Sequence, residues 1–252
     1  MNKERDMATT NAGGGTLFQV SLLQGLSNGD YTGSVPLREL KQHGDTGIGT
    51  FDKLNGELIL LDGTVYRAAG DGTVAVVPDE ETSPFAVASF LHADDKIPLP
   101  RIPDFDALTE TLNRIVEARG KNLFHMIRID GVFHRMNVRS VPAQKKPYRR
   151  LSDVLRDEQT FFDFENIAGT VVGLYCPPYM SYLNAVGWHL HFISADRAEG
   201  GHVLGLSIDD AVLTWAAISS FALRLPQGQD FEGFDLSIDQ SAEIEIIEKN
   251  HG

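Results

Sequence analysis

The chain has 252 residues, of which 42% are hydrophobic and 23% are charged, and its formal net charge is −13. This apolar content excludes a largely disordered chain, and the length fits one large domain or two compact halves. The excess of acidic residues argues against a nucleic-acid partner, because binding to phosphates requires clustered Lys and Arg. A lone cysteine, Cys176, excludes an internal disulfide and suits a reducing compartment.

Residues 1–15 are charged, then small, polar and Gly-rich, which predicts a flexible N-terminal tail. The tail contains no apolar stretch of the kind found in a secretory signal. No segment of the chain approaches the roughly 18 apolar residues that a membrane span requires. We therefore expect a cytoplasmic protein with no membrane partner.

Turn and helix signals predict short elements along the first part of the chain. A helix is expected over residues 35–43, because Gly44 follows as a stop signal. An Asp-Gly pair between two apolar runs predicts a hairpin over residues 56–67. A longer helix is expected over residues 105–119, where the apolar residues recur at helical spacing.

The second part of the chain is interpreted in the same way. A further Asp-Gly pair, at residues 130–131, predicts a hairpin over residues 123–141. A short helix is expected near residues 151–155, and an apolar helix over residues 209–223. Strands are expected between these helices, including residues 188–193 and 202–208.

The charged segment at residues 145–150 is interpreted as a solvated linker between two parts of the chain. This divides the molecule into an N-terminal tail, an N-terminal β-rich half, a C-terminal β-rich half and a C-terminal tail. Their expected bounds are residues 1–15, 16–150, 151–240 and 241–252.

Three histidines have a spacing that suggests a metal site. His189 and His191 are two residues apart on a predicted strand, so both imidazoles project from one face. After a polar turn, His202 opens the next strand and returns close to the first pair if the two strands form a hairpin. Three neutral imidazoles with open positions are typical of a catalytic zinc site. The alternative is three polar side chains on a half-exposed face.

Two charged residues lie on strands that are otherwise apolar or β-rich. Glu57 shares a strand face with Ile59 and Leu61, where a carboxylate is costly to bury unless it is paired, protonated or bound to metal. The alternative is that Glu57 starts the strand and stays in water. Arg139 could clamp a substrate carboxylate, or it could lie on an exposed face. Thr50 follows a Gly-rich turn and is not singled out by its spacing alone.

The chain has neither a Walker loop nor a nucleophile elbow that would indicate another chemistry. Seven segments instead form an ordered set of motifs, namely residues 16–21 (TLFQVS), 26–33 (LSNGDYTG), 44–51 (GDTGIGTF), 54–58 (LNGEL), 138–142 (VRSVP), 188–192 (WHLHF) and 200–203 (GGHV). This set resembles the family of alpha-acetolactate decarboxylases, and the resemblance covers most of residues 16–248.

The resemblance implies a role for each matching residue. His189, His191 and His202 correspond to zinc ligands, and Glu57 to a catalytic glutamate near the metal. By the same resemblance, catalytic roles beside the substrate fall to two further residues, Arg139 and Thr50. A glutamate of the C-terminal tail also reaches the metal in this family, and the candidates here are Glu248 and then Glu245.

The family also implies a fold and a reaction. The expected fold is α+β, with two β-rich halves, as a mixed sheet or open barrel, with peripheral helices, in a homodimer. The expected reaction is zinc-dependent decarboxylation of 2-acetolactate to acetoin and carbon dioxide. Its enediolate would be stabilised by the metal acting as a Lewis acid.

Two other functions remain as alternatives. A cupin-like metal-dependent isomerase or oxygenase also places an H-x-H pair on a strand, although here no glutamate follows that pair closely. A non-catalytic ligand-binding module could use the same histidines for a structural metal. Structural zinc usually has four protein ligands, so an open coordination position would count against this alternative.

Overall fold

A computed structural model describes residues 15–227, 229–237 and 244. Its helices are α1 (Leu23–Ser27), α2 (Leu37–His43), α3 (Phe105–Arg119), α4 (Leu151–Glu158) and α5 (Gln229–Gly233). Its strands are β1 (Gly15–Val20), β2 (Val35–Pro36), β3 (Thr46–Thr50), β4 (Glu57–Leu61), β5 (Thr64–Ala68), β6 (Val74–Val76), β7 (Thr82–Ser83), β8 (Ala86–Ser89), β9 (Asp95–Leu99), β10 (Phe124–Ser140), β11 (Thr160–Cys176), β12 (Gly187–Ser194) and β13 (Gly200–Arg224).

Eleven strands form one mixed sheet, in the order β10-β11-β12-β13-β1-β8-β3-β4-β5-β6, with β9 added to β13. The strand pairs are antiparallel, except that β1 runs parallel to β13. The two remaining strands, β2 and β7, pair with each other. This confirms the α+β class and the mixed sheet.

The sheet takes strands from both predicted halves of the chain, because β10 lies in the first half and β11 to β13 in the second. The division at residues 145–150 stays a prediction. Within the described ranges, no helix has the length and apolar character needed to cross a membrane.

The last four strands along the chain, β10 to β13, form a closed ring, since β10 pairs with β13 as well as with β11. Apolar side chains of these strands, together with α3, fill one core. Its largest contributions are the fully or nearly fully buried Phe133, Leu190, Phe192 and Trp215 from the strands and Leu108, Leu112 and Val116 from α3. The ring gives β12 and β13 a rigid support.

Strand β4 is buried on both faces. Leu58 and Leu60 lie in one core cluster, whereas Ile59 and Leu61 lie in another. Such burial explains its uninterrupted apolar sequence. Glu57 begins this strand and is held at the end of a well-packed element.

Several predicted elements are confirmed. Helix α3 has the expected bounds, and the Asp104 carboxylate accepts a hydrogen bond from the Ala107 amide at its start, at 2.8 Å. The hairpin over residues 56–67 forms from β4 and β5, with Asp62 and Gly63 both at positive φ in its turn.

The predicted hairpin over residues 123–141 is wrong, because β10 passes through Asp130 and Gly131 without a turn. At this point β10 is paired with β11 on one side and β13 on the other. A Cβ on Gly131 would lie 2.3 Å from the carbonyl oxygen of Asp210. The glycine therefore permits a close approach of two backbones, and the Asp130 carboxylate binds Arg128 at 2.6 Å.

The predicted helix over residues 209–223 is also wrong, because β13 continues as a strand to Arg224. Strand β13 is paired on both sides near Trp215, by β9 and β10. A strand that lies in the middle of a sheet and is buried on both faces has a nearly continuous apolar sequence. Hydrophobic periodicity does not separate such a run from a buried helix.

The core between α3 and the ring offers a test of stability. Leu112 is fully buried there, so Leu112→Ala is expected to lower the free energy of unfolding by about 2–5 kcal/mol through the cavity that it leaves. Urea titration followed by circular dichroism measures the change. Glu110→Ala, on the exposed side of the same helix, is the control and should stay within about 0.5 kcal/mol of the unchanged protein. Equal losses in the two variants would contradict this packing.

Candidate metal centre

The three predicted histidines meet in the hairpin formed by β12 and β13. His191 pairs directly with His202 across the hairpin, and His189 lies two residues earlier on the same face of β12. The Ser194 amide donates to the Glu199 carbonyl at 2.8 Å and closes the turn between the strands. The predicted return of His202 to the first pair is therefore confirmed.

The opposite face of β12 anchors this arrangement in the ring. Leu190 and Phe192 are buried in the core, and Trp188 packs against it. Apolar residues and histidines alternate along β12, so the apolar side chains point into the core and both histidines point to the other side of the strand. Any shift of one residue in β12 would exchange the two faces.

The histidine nitrogens converge closely. The Nε2 atom of His189 lies 3.1 Å from the Nε2 atom of His191 and 3.1 Å from the Nδ1 atom of His202. The Nδ1 atom of His191 lies 2.9 Å from the Leu58 carbonyl oxygen. That carbonyl can only accept, so Nδ1 carries the proton and Nε2 of His191 presents a lone pair.

The surroundings favour the neutral form of two of these imidazoles, those of His189 and His191. His189, His191 and His202 are 8%, 1% and 3% exposed. Burial, and then the positive charge of Arg139, lowers the pKa of His189 to about 3. Burial also lowers the pKa of His191 well below its ordinary value. Neutral imidazole is the form that binds metals.

The donor set fits a divalent metal such as zinc. Two nitrogens bound at about 2.0–2.1 Å to a tetrahedral zinc are about 3.3 Å apart, close to the 3.1 Å separations at His189. A single N–H on His189 cannot make a good hydrogen bond to both neighbours. If Nε2 of His189 is instead unprotonated, its lone pair faces the lone pair of His191 Nε2, and a cation between the two nitrogens would relieve this repulsion. The potential ligand atoms of all three residues lie within 4.8 Å of one another.

Strands β3 and β4 bring two more predicted residues to the histidines. A carboxylate oxygen of Glu57 lies 3.5 Å from Nε2 of His191, and its side chain is only 12% exposed. The alternative that Glu57 stays in water is therefore wrong. Thr50 pairs with Glu57 across the two strands, and its hydroxyl donates to the Gly56 carbonyl at 2.7 Å. The remaining lone pair of that hydroxyl can accept a hydrogen bond.

Arg139 reaches the site from β10, where it pairs with His202 of β13. The residue is 3% exposed, so the alternative of an exposed arginine is wrong. Gly201, at φ 155, lets the two strands approach closely here, since a Cβ on it would lie 2.7 Å from the Arg139 carbonyl oxygen. The Nη1 atom of Arg139 donates to the side-chain oxygen of Gln159 at 3.3 Å.

One pocket joins these groups. Its polar side is formed by Thr50, Glu57, Arg139, His189 and His202. Its remaining wall is apolar apart from the backbone of Gly49, and consists of Leu23, Leu26, Leu54, Phe85, Val141, Leu151 and Leu155. Such a pocket suits a small anion that also carries alkyl groups.

Three features of the site escaped the sequence interpretation. They are the Leu58 carbonyl that fixes His191, the Gln159 amide beside Arg139, and the apolar wall supplied by α1 and α4. A backbone carbonyl has no sequence signal, and Gln159 is 20 residues from its partner. Only the pairing of β10 with β11 brings that partner near.

The sequence model of the alpha-acetolactate decarboxylase family matches residues 17–238, which is most of the chain. The chain belongs to this family. The family assignment and the expected class of enzyme, a carboxy-lyase, are thereby confirmed.

Relatives from different organisms agree with the assignment to the alpha-acetolactate decarboxylase family. The alpha-acetolactate decarboxylase of Methanosarcina mazei is 39% identical over 233 residues, covering 92% of this chain and 80% of the relative. That of Bacillus licheniformis is 39% identical, covering 93% and 92%. The crystal structure of the Bacillus subtilis strain 168 enzyme is 35% identical, with a TM-score of 0.89, and the match covers 93% of this chain and all of that one.

The individual roles of the site residues stay predictions. The structure brings together His189, His191, His202, Glu57, Thr50 and Arg139. The C-terminal candidates, Glu248 and Glu245, lie outside the described residues.

Proposed function

We propose that this chain converts 2-acetolactate into acetoin and carbon dioxide, with zinc held by His189, His191 and His202. The observation that carries the proposal is a single pocket with two properties. Two imidazoles of the metal-capable cluster, those of His189 and His202, lie on its polar side together with a guanidinium and a carboxylate, and the rest of the wall is apolar. The substrate has matching parts: an anionic carboxylate, two neighbouring oxygens and two methyl groups.

Zinc on these histidines would supply a Lewis acid for the negative charge that develops on the substrate oxygens. Breaking the bond to the carboxylate leaves an electron pair on carbon, which moves into the neighbouring ketone and gives an enediolate. Protonation of that carbon then yields acetoin. Binding of the carboxylate, exclusion of water and delivery of the proton can each be assigned to side chains of the pocket.

Arg139 binds the substrate carboxylate in this proposal. A planar guanidinium can donate two parallel hydrogen bonds to a carboxylate. Its burial removes competing water and strengthens the attraction. The chain carries a net charge of −13, so this local positive charge is needed to attract a small anion.

The apolar wall acts on the leaving group. Leu151 and Leu155 of α4, with Phe85, face the same pocket as Arg139. They exclude water from the reacting carbon, which prevents uncontrolled protonation of the enediolate. Carbon dioxide is uncharged, so an apolar wall receives it more readily than it holds a carboxylate.

Glu57 transfers to carbon the proton that completes the reaction, and it takes up this proton from solvent because the overall reaction consumes one. Its carboxylate lies beside His191 and at the edge of the pocket, and a carboxyl group can deliver a proton to carbon when it is fixed within reach. Thr50, paired with Glu57, accepts a hydrogen bond from a substrate hydroxyl.

We further propose that Glu248 completes the metal ligands. Support comes from Ile244, which is 4% exposed and packs in the cluster that contains Leu151 and Leu155 of the pocket wall. Glu248 follows Ile244 by four residues and is therefore close enough in the chain to reach the pocket. A homodimer and a cytoplasmic location stay predictions.

Removal of zinc tests the proposed reaction. Purified protein loaded with zinc should release acetoin from racemic 2-acetolactate. Dialysis against a chelator should lower the rate by about a thousandfold, because a Lewis acid contributes several kcal/mol of charge stabilisation. Adding back zinc should restore it. The control is chelator that has been saturated with zinc beforehand. No acetoin from the zinc-loaded protein, or full activity at undetectable metal content, would contradict the proposal.

A further inference from the structure

Gln159 lies at a junction that fixes its position relative to Arg139. It is the C-cap residue that directly follows α4, and its backbone amide donates to the Leu155 carbonyl at 3.4 Å. Strand β11 begins at the next residue, and Phe161 of that strand pairs with Arg139. Helix and strand thus both restrain Gln159, whose side-chain oxygen accepts a hydrogen bond from Arg139 Nη1 at 3.3 Å.

The chemical type of Gln159 matters as much as its position. Its amide oxygen is neutral, so it orients the guanidinium without adding a negative charge beside it. A carboxylate at the same point would form an ion pair with Arg139 and weaken the attraction of that guanidinium for an incoming anion.

The preceding residue shows the opposite arrangement. Glu158 does carry a carboxylate, but it accepts a hydrogen bond from Gln144 at 2.9 Å and pairs with Arg149. Two consecutive side chains of the same length therefore contact different arginines. The charged Glu158 pairs with Arg149 at the surface, and the neutral Gln159 accepts a hydrogen bond from the buried Arg139 of the pocket.

We propose that Gln159 is a positioning residue, which holds the Arg139 guanidinium for the carboxylate of a small 2-hydroxy acid without placing a negative charge of its own beside it. This inference rests on the proposed function of Arg139. Because α4 also supplies Leu151 and Leu155 to the pocket wall, one helix sets both the apolar wall and the direction of the arginine.

The test measures how Gln159→Glu changes the affinity of the protein for two probes of similar size. The anionic probe is 2-hydroxy-2-methylpropanoate, and the neutral probe is 2-methylpropane-1,2-diol. Binding of each probe is measured by isothermal titration calorimetry, which does not depend on turnover. Gln159→Glu should weaken binding of the anion about tenfold or more, which is the loss expected when a charge-assisted contact is impaired. It should leave binding of the diol within about twofold. For acetolactate, KM should rise more than kcat falls.

Two further variants complete the design. Gln159→Met removes the acceptor without adding charge, and it should weaken the anion about threefold through lost orientation. Glu158→Gln makes the reverse change one residue away and should leave KM unchanged. Thermal unfolding and zinc content are measured for each variant, so that a general loss of structure is recognised.

The outcomes separate this inference from the proposed function. Equal weakening of both probes in Gln159→Glu, or an unchanged affinity for the anion in both Gln159 variants, would overturn the positioning role. If the unaltered chain forms no acetoin but Gln159→Glu still discriminates between the probes, the proposed reaction fails and the positioning role stands.

Discussion

His189→Ala is expected to abolish metal binding and to reduce acetoin formation by about a thousandfold or more, in line with the several kcal/mol that a catalytic metal contributes. The reason is the position of this residue. Nε2 of His189 lies 3.1 Å from a nitrogen of each of the other two histidines, so its removal takes away the nitrogen between them and leaves only two imidazole donors for zinc. Elemental analysis should fall from about one zinc per chain to a trace.

His134→Ala is the matched control for this substitution. His134 lies on β10 with a side chain that is half exposed, and it is distant in the chain from the three histidines. Its replacement should leave zinc content and turnover unchanged. A zinc content in His189→Ala equal to that of the control would rule out His189 as a ligand.

The histidine site could be predicted because each step depends on local geometry. The H-x-H spacing selects one strand face, and the polar turn near Ser194 and Glu199 brings His202 back to it. Both relations follow from the period of a strand and the length of a turn. The hairpin at Asp62 and Gly63 was predictable for the same reason.

The errors of the sequence interpretation lie where distant strands decide the structure. Asp130 and Gly131 form a typical turn pair, yet β11 and β13 flank them and keep the backbone extended. The segment that follows Ile208 is helical by composition, yet pairing with β9 and β10 makes it a strand. Tertiary context overrides local preference in both cases.

The same limit applies to parts of the site. The neutral partner of Arg139 comes from a residue 20 positions along the chain, and the carbonyl that fixes His191 lies 133 positions away. No spacing rule connects such residues. Sequence motifs identified the chemical groups that resemble those of the family, whereas the sheet determined what orients them.

Glu57→Gln is expected to keep zinc at the site and to lower acetoin formation by about 10²–10⁴-fold, which is the usual contribution of a positioned acid or base. Glutamine has the size of glutamate, so packing at the start of β4 is preserved. It cannot release or take up a proton as a carboxyl group does. The three histidines still provide their nitrogens, and the His191 proton remains fixed by the Leu58 carbonyl.

Both products of the reaction should be measured for Glu57→Gln, because they report different steps. Carbon dioxide release reports bond cleavage, and acetoin reports protonation of the enediolate. If Glu57 delivers the proton, acetoin formation should fall at least as far as carbon dioxide release, with zinc content unchanged. Glu199→Gln, in the turn between β12 and β13, removes one carboxylate near the histidine strands and should leave both rates unaltered. Loss of zinc from Glu57→Gln would instead make Glu57 a metal ligand, and full turnover would remove it from the mechanism.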